Sequence, residues 1–315
     1  MPEVLLRRLL RAAATLVIVS VLVFLVVDAL ADRAIQDLGR GASAEALAAR
    51  RHLLGLDRPV SLRLIEHVLA AMSFELGDSA RSGLPVAALL ARAIGPTLAY
   101  AVPGFLLASA TALLGGFAAA RWRGWPGRVL LAVSTVLMST SSVIVVVFGQ
   151  YLLAHRLRLF PVLGWPLAGD GRALLAFVLL PALLWAVIQL GPDLRHYRAV
   201  FVRELAAPHL EGLRARGLGE PRIARHVLRG AAAPVLARVS ARLPQLVIGS
   251  VVVEQVFNVP GIGALLIDAI QDGDLAVVQG IAFCLAAATI VGQALCDLAV
   301  HALDPRTRAR PEAPR

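Results

Sequence analysis

The sequence predicts an all-α, polytopic membrane protein with six transmembrane helices and both termini in the cytoplasm. Three observations predict it. Apolar residues make up 58% of the chain, charged residues only 17%, and the mean hydropathy is +0.75; a soluble chain of this length needs more charge to cover its cores. Several apolar runs reach the 18 or more residues that a hydrocarbon layer of about 30 Å demands. The basic residues, all of them arginine, concentrate in alternate connections between those runs.

The spans are expected over residues 12–27, 97–120, 129–154, 173–191, 235–257 and 277–300. Arg7, Arg8 and Arg11 precede the first, and Arg121, Arg123 and Arg128 separate the second from the third. Eight arginines between Arg195 and Arg229 separate the fourth from the fifth, and Arg306, Arg308, Arg310 and Arg315 follow the sixth. All four segments fall on one side of an even-numbered topology, which the positive-inside rule makes cytoplasmic. The opposite short loops hold Arg156, Arg158 and Arg172 in one case, and Asp268, Asp272 and Asp274 in the other. Arg238 and Arg242 lie at the start of the fifth span and can snorkel along the helix toward an interface. Pro181 within the fourth span predicts a kink, either a packing or a gating feature.

Three segments follow: residues 1–30 as N-tail and first helix, 31–96 as an extracytoplasmic segment, and 97–315 as a five-helix core with a cytoplasmic loop at 192–234. Within 31–96, LIEHVLAAMSFEL has helical apolar spacing and suits a helix packed on the outer ends of the spans or one lying on the membrane surface. Arg7–Arg11, the apolar run and Ala29-Leu30-Ala31 also fit a cleaved secretory signal, and the charge pattern is the same either way. Cys284 and Cys296 are twelve helical residues apart, roughly 18 Å, too far to pair.

The net charge of +10 comes from arginines spread between spans rather than gathered in one domain, which argues against a nucleic-acid partner. Without lysine there is no phosphate-binding GxxxxGK[ST] loop, and HExxH and GxSxG are absent too. The seven histidines are scattered. The chain therefore reads as a non-enzyme without a metal or cofactor site of its own.

The stretch GLRARGLGEPRIARHVLRGAAAPV, residues 212–235, stands out on the arginine-rich side. Residues 210–218 and 221–230 suit two short helices, with Gly217 and Gly219 as breaks and Pro221 as a first helical residue. Ile223, Val227 and Leu228 are read as one apolar face, with Arg222, Arg225 and Arg229 on another. Such a segment suits docking into a groove on a partner, or contact with anionic lipid head groups. Among polar residues inside spans, Ser139, Thr140, Ser141 and Ser142 are the best candidates for lining a pore, against the alternative of hydrogen bonds between helices. Glu254 reads either as a partner for an arginine or as an acidic group at an outer mouth.

The 212–235 stretch resembles the cytoplasmic loop of ABC-importer membrane subunits, in particular the first permease of dipeptide, oligopeptide and nickel importers. Leu213-Arg214-Ala215-Arg216-Gly217-Leu218 matches that family's A-R-A-K-G-L element, and HVLRGAAAPV at 226–235 matches the run that follows. VVVEQVFNVPGIGALLIDAI at 251–270 resembles the segment joining spans five and six, with Glu254, Phe257, Pro260, Gly261 and Gly263 in place. LGLDRPV at 54–60, FELGDSARSGLPVAALLARAIGPTL at 74–98 and ALDPRTR at 302–308 extend the resemblance over nearly the whole chain, and RRLLRAAATLVIVSVLVFLVV resembles a retained first span. Departures are DALADRAIQD in place of P-G-D-P, Pro208 and His209 in place of D-Y, and Ser139–Ile144 in place of S-I-P-S-F-W.

The resemblance implies a type I permease of an ATP-driven importer, forming half of a pathway for peptides or a related solute such as nickel or a metal chelate. It implies a second similar permease, two cytoplasmic ATPase subunits that use ATP and magnesium, and an extracytoplasmic solute-binding protein, in the bacterial inner membrane. Arg214, Ala215, Arg216, Gly217, Leu218 and Arg222 would contact the ATPase. A self-contained secondary transporter or channel is the alternative, and it would be expected to show embedded coupling charges or an internal repeat.

Overall fold

The computed structural model describes residues 13–26, 58–73, 75–122, 124–166, 171–248 and 251–303, with Leu10, Asp28 and Ala29. The expected motif residues at 54–57 and 304–308 and the arginines at 7, 8, 11 and 306–315 lie outside them. Helices are α1 (Ala13–Val26), α2 (Val60–Met72), α3 (Val86–Arg121), α4 (Trp125–Ser139), α5 (Ser142–Gln150, continued by a π-turn Tyr151–Arg156) and α6 (Gly171–Leu205). They continue as α7 (Pro208–Ala215), α8 (Glu220–Gly230), α9 (Ala232–Ile248), α10 (Val251–Phe257), α11 (Ile262–Asp272) and α12 (Leu275–Leu303).

Helices recur at the six expected spans with altered edges, but three of them alone, or five counting bent pairs, are long enough to cross. Among the described residues α3, α6 and α12 are long and apolar enough to cross a membrane. The bent pairs α4–α5 and α9–α10 are long and apolar enough when each is taken as one span, and α1 is shorter, roughly 21 Å at 1.5 Å per residue. α3 begins eleven residues before the expected edge at 97, because Val86–Ile94 carries on the same helix. α6 continues beyond 191 to Leu205, so Arg195, Arg198 and Arg203 are helical rather than in the expected loop from 192. It runs as one helix through both Pro181 and Pro192.

The third span is not the single helix expected over 129–154. It bends by 97° between α4 and α5, where Thr140 and Ser141 take extended conformations, ψ 131° and 138°. Short hydroxyl side chains compete with the helical backbone; Thr140 Oγ1 donates at 2.8 Å to the Val136 carbonyl, which also accepts the Thr140 N–H at 3.0 Å.

The chain divides into two compact units, 1–94 with 265–290, and 95–264 with 291–315. In the first, Arg63 of α2 donates to Asp28 at 2.5 Å and lies 5.9 Å from the Phe24 ring centroid. The His67 ring lies 5.5 Å from that of Phe24, tilted by 36°, and its burial lowers the imidazole pKa below the ordinary histidine range. The segment 77–86 is a tight loop closed by Ser79 N–H to the Leu84 carbonyl, 2.9 Å, and Val86 N–H to the Gly77 carbonyl, 3.0 Å. Ser79 Oγ donates to Asp274 at 2.5 Å, and Arg81 pairs with Asp272. Asp274 also accepts from Val277 N–H at 3.4 Å and so starts α12.

In the second unit one apolar cluster joins Tyr100, Phe105, Val146, Leu180, Trp185, Val253 and Phe257. Another joins Ala112, Leu194, Tyr197, Phe201, Leu210, Ile223 and Val227. α3 and α6 approach closely through a small residue, as membrane helices do: a Cβ at Gly116 would stand 2.9 Å from the Tyr197 Cβ.

Candidate functional site

The arginine-rich loop folds into α7 and α8, two short helices seated on the ends of α3 and α6. Pro208, which needs no N–H partner, sits in the first turn of α7, and Pro221 does the same for α8. α7 ends at Ala215 in a paired-bond turn. Gly217 N–H donates to the Arg214 carbonyl at 2.9 Å, and Leu218 N–H reaches back to Leu213 at 3.2 Å. This turn requires a left-handed residue, and Gly217 supplies it at φ +74°. Leu213 and Leu218 flank the turn and both pack on the second apolar cluster.

The two faces of the loop differ sharply. Leu210, Ile223 and Val227 are fully buried, whereas Arg214, Ala215, Arg216, Gly217, Arg222, Arg225 and Arg229 are exposed and Leu218 is half-buried. Leu228, expected on the buried face, is 46% exposed; five residues from Ile223 place it about 140° around the helix. The cluster carries the loop's apolar face onto Ala112, Leu113 and Phe117 of α3 as well as Leu194, Tyr197 and Phe201 of α6. Phe117 and Phe201 meet edge to face at 5.2 Å. An exposed ion pair, Arg121 to Glu220 at 2.7 Å, ties the end of α3 to the start of α8.

Beyond the loop, α6 and α9 are joined by charge. Arg238 Nε and Arg242 Nε each stand 3.0 Å from the same oxygen of Asp193, whose side chain is 2% exposed. These arginines do not snorkel outward. Within a membrane helix a carboxylate in reach is the better partner, and their i, i+4 spacing aims both at one acceptor. Asp193 was not singled out in the sequence; its signal was a carboxylate two residues past an apparent span end, opposite two arginines four apart. Above it Gln189 donates to Gln245 at 2.6 Å.

The 254–264 segment is built around Glu254, which is fully buried. Thr97 and Tyr100 hydroxyls donate to Oε1 at 2.8 and 3.0 Å, and Ala264 N–H to Oε2 at 2.9 Å. Among the described residues, Glu254 is held by two hydroxyls and an amide rather than by an arginine. Gly261 is required by this packing, since a Cβ there would meet both Glu254 oxygens at 2.5 Å. Gly263 also lies against the carboxylate, Phe257 is buried, and Pro260 is exposed. Ser139, Thr140, Ser141 and Ser142 stand apart from all of these, at the α4–α5 break, with Ser139 and Ser141 exposed.

Comparison with known proteins decides what this arrangement belongs to. Residues 111–309 match the family described as binding-protein-dependent transport system inner membrane component, and residues 1–81 match its N-terminal counterpart. The chain belongs to this permease family. A putative peptide transport system permease protein of Brucella abortus is 30% identical over 98% of this chain and 99% of its own. Glutathione transport system permease proteins of Salmonella choleraesuis and Shigella flexneri are 32% and 33% identical over 96% of this chain and 98% and 97% of theirs. This permease is thus a multi-pass inner-membrane subunit of an ABC importer, a transport component that is not itself catalytic. Membership implies partner ATPase, solute-binding and permease subunits, and leaves the secondary-transporter reading without support.

Proposed function

We propose that the permease forms half of the translocation pathway for peptides or a related small solute, paired with a second, similar permease. Two cytoplasmic ATPases use ATP and magnesium, this chain holds no cofactor, and both termini face the cytoplasm. The relatives' names, for peptide and glutathione transport, support the substrate class. The match of residues 1–81 to the family's N-terminal part supports a retained first helix. Arg214, Ala215, Arg216, Gly217, Leu218 and Arg222 make the ATPase contact. Ser139–Ser142 line the pathway at the α4–α5 break, and the segment from Glu254 through Phe257, Pro260, Gly261 and Gly263 flanks its outer mouth.

One observation carries the coupling role: an exposed arginine and glycine tip stands on a buried apolar base shared with α3 and α6. ATPase closure displaces the tip, and the base moves the spans. Docking drives this only if it is tighter in one ATPase state than in the other.

Gly217→Pro tests it. Proline cannot adopt φ +74° and lacks the N–H that holds Arg214. Gly217→Ala meets nothing within 4 Å and bears only the left-handed strain, roughly 1–2 kcal/mol. In proteoliposomes holding the importer isolated through this chain, Gly217→Pro is expected to leave ATP hydrolysis running and abolish uptake of the solute retained by the co-isolated binding protein. Gly217→Ala is expected to retain uptake. Normal uptake by the proline variant refutes the assignment.

A further inference from the structure

The helix α2 presents an apolar stripe that no described residue covers. Leu62, Ile65 and Leu69 are 52%, 55% and 63% exposed, at i, i+3 and i+7, one face of a helix. The opposite face is turned inward, with His67 half-buried and Ala71 4% exposed. Glu66 flanks the stripe and pairs with Arg58 at 3.3 Å, so the polar border carries no net charge.

The contacts of α2 place it relative to α1. Arg63 reaches both Asp28 and Phe24, and His67, one turn further on, reaches Phe24. Both residues, one turn apart, meet Phe24, and Arg63 also holds Asp28, so α2 packs against the Asp28 end of α1. α1 is an apolar helix of an inner-membrane permease, and its own outward side chains Ile18, Leu22 and Val26 are 58%, 56% and 59% exposed. The stripe of α2 is thus tethered to the end of a helix that is itself apolar and part of an inner-membrane subunit.

We propose that α2 is an interfacial membrane helix: it lies in the membrane–water boundary at the Asp28 end of α1, with Leu62, Ile65 and Leu69 against acyl chains and the Arg58–Glu66 pair at headgroup level. The composition favours lipid over a protein partner. The stripe is Leu and Ile alone, without the Tyr, Trp or Arg anchors that dominate protein interfaces, while an apolar face with a polar border suits the boundary of headgroups and chains.

The test places an environment-sensitive fluorophore on single cysteines at 62, 65 and 69, and at Arg81 as a control, in a Cys284→Ser, Cys296→Ser background. The importer isolated through this chain is reconstituted in nanodiscs with and without nitroxide-labelled phosphatidylcholine. Labels at 62, 65 and 69 are expected to lose most of their emission to the nitroxide lipid, with little loss at 81. Labels shielded from aqueous iodide yet unquenched by the nitroxide lipid would mean that a protein partner covers the stripe, and would overturn the proposal. So would labels quenched by iodide alone.

Discussion

Replacing Asp193 with alanine removes the one carboxylate between Arg238 and Arg242. The magnitude follows from burial: Asp193 and Arg242 side chains are 2% and 8% exposed, and Arg238 is 28% exposed. Breaking a buried pair by deleting one partner costs about 3–5 kcal/mol, because a charge is left uncompensated. Here two cations four residues apart are left facing each other. At roughly 2–4 °C per kcal/mol for domains of 150–250 residues, the melting temperature should fall by roughly 6–20 °C. The assay is thermal loss of the monodisperse peak in detergent, followed by fluorescence-detected size exclusion. The triple variant Asp193→Leu, Arg238→Met, Arg242→Met removes every charge at once. It should recover most of the loss, since replacing a buried ion cluster with apolar residues is often neutral or better. A single variant as stable as the parent, or a triple variant worse than the single one, would refute the reasoning.

Other outcomes follow from the same geometry. Glu220→Ala breaks only an exposed pair, with Arg121 and Glu220 43% and 55% exposed, and should change stability by no more than about 1 kcal/mol in the same melting assay. Glu254→Ala strands the Thr97 and Tyr100 hydroxyls and the Ala264 amide, at about 1–3 kcal/mol for each group left unpaired; the check is the yield of folded protein in the membrane. Ile223→Ala opens the base of the coupling loop where Ile223 is 2% exposed, and should cost about 2–5 kcal/mol and lower the uptake obtained per ATP hydrolysed.

Much of the architecture was legible because it rests on local pattern. Apolar runs gave the spans, and glycine and proline placed the two short helices to within two residues at their starts. Ile223 and Val227 were legible as a buried pair because four residues is nearly one turn. What escaped the sequence depends on distant partners. Arg195, Arg198 and Arg203 lowered the hydropathy beyond 191, so the end of α6 looked like loop and Asp193 lost its context. Glu254 is held by side chains 154 and 157 residues earlier, which no periodicity reveals. The break at Thr140 and Ser141 lay inside an otherwise apolar stretch, whose averaged hydropathy hides two extended residues.

The site's division of labour explains why its parts were unequally visible. On the proposed role, a surface that binds two ATPase states differently gains from an exposed, charged tip, where contacts can be made and lost at low cost. Exposure and charge are plain in the sequence as a basic run. Passing the displacement on demands the opposite, a base that does not yield when pushed. Leu210, Ile223 and Val227 supply it by close packing against α3 and α6, and close-packed interiors transmit strain rather than absorb it. Ala231 and Val235 at the start of α9 join the same cluster, and α9 is also fixed to α6 through Asp193. On the proposed role, a push on the tip would reach α3, α6 and α9 together. Loosening Ile223 and removing Asp193 should each lower coupling before they abolish insertion, whereas Glu220→Ala, which touches only the exposed rim, should do neither.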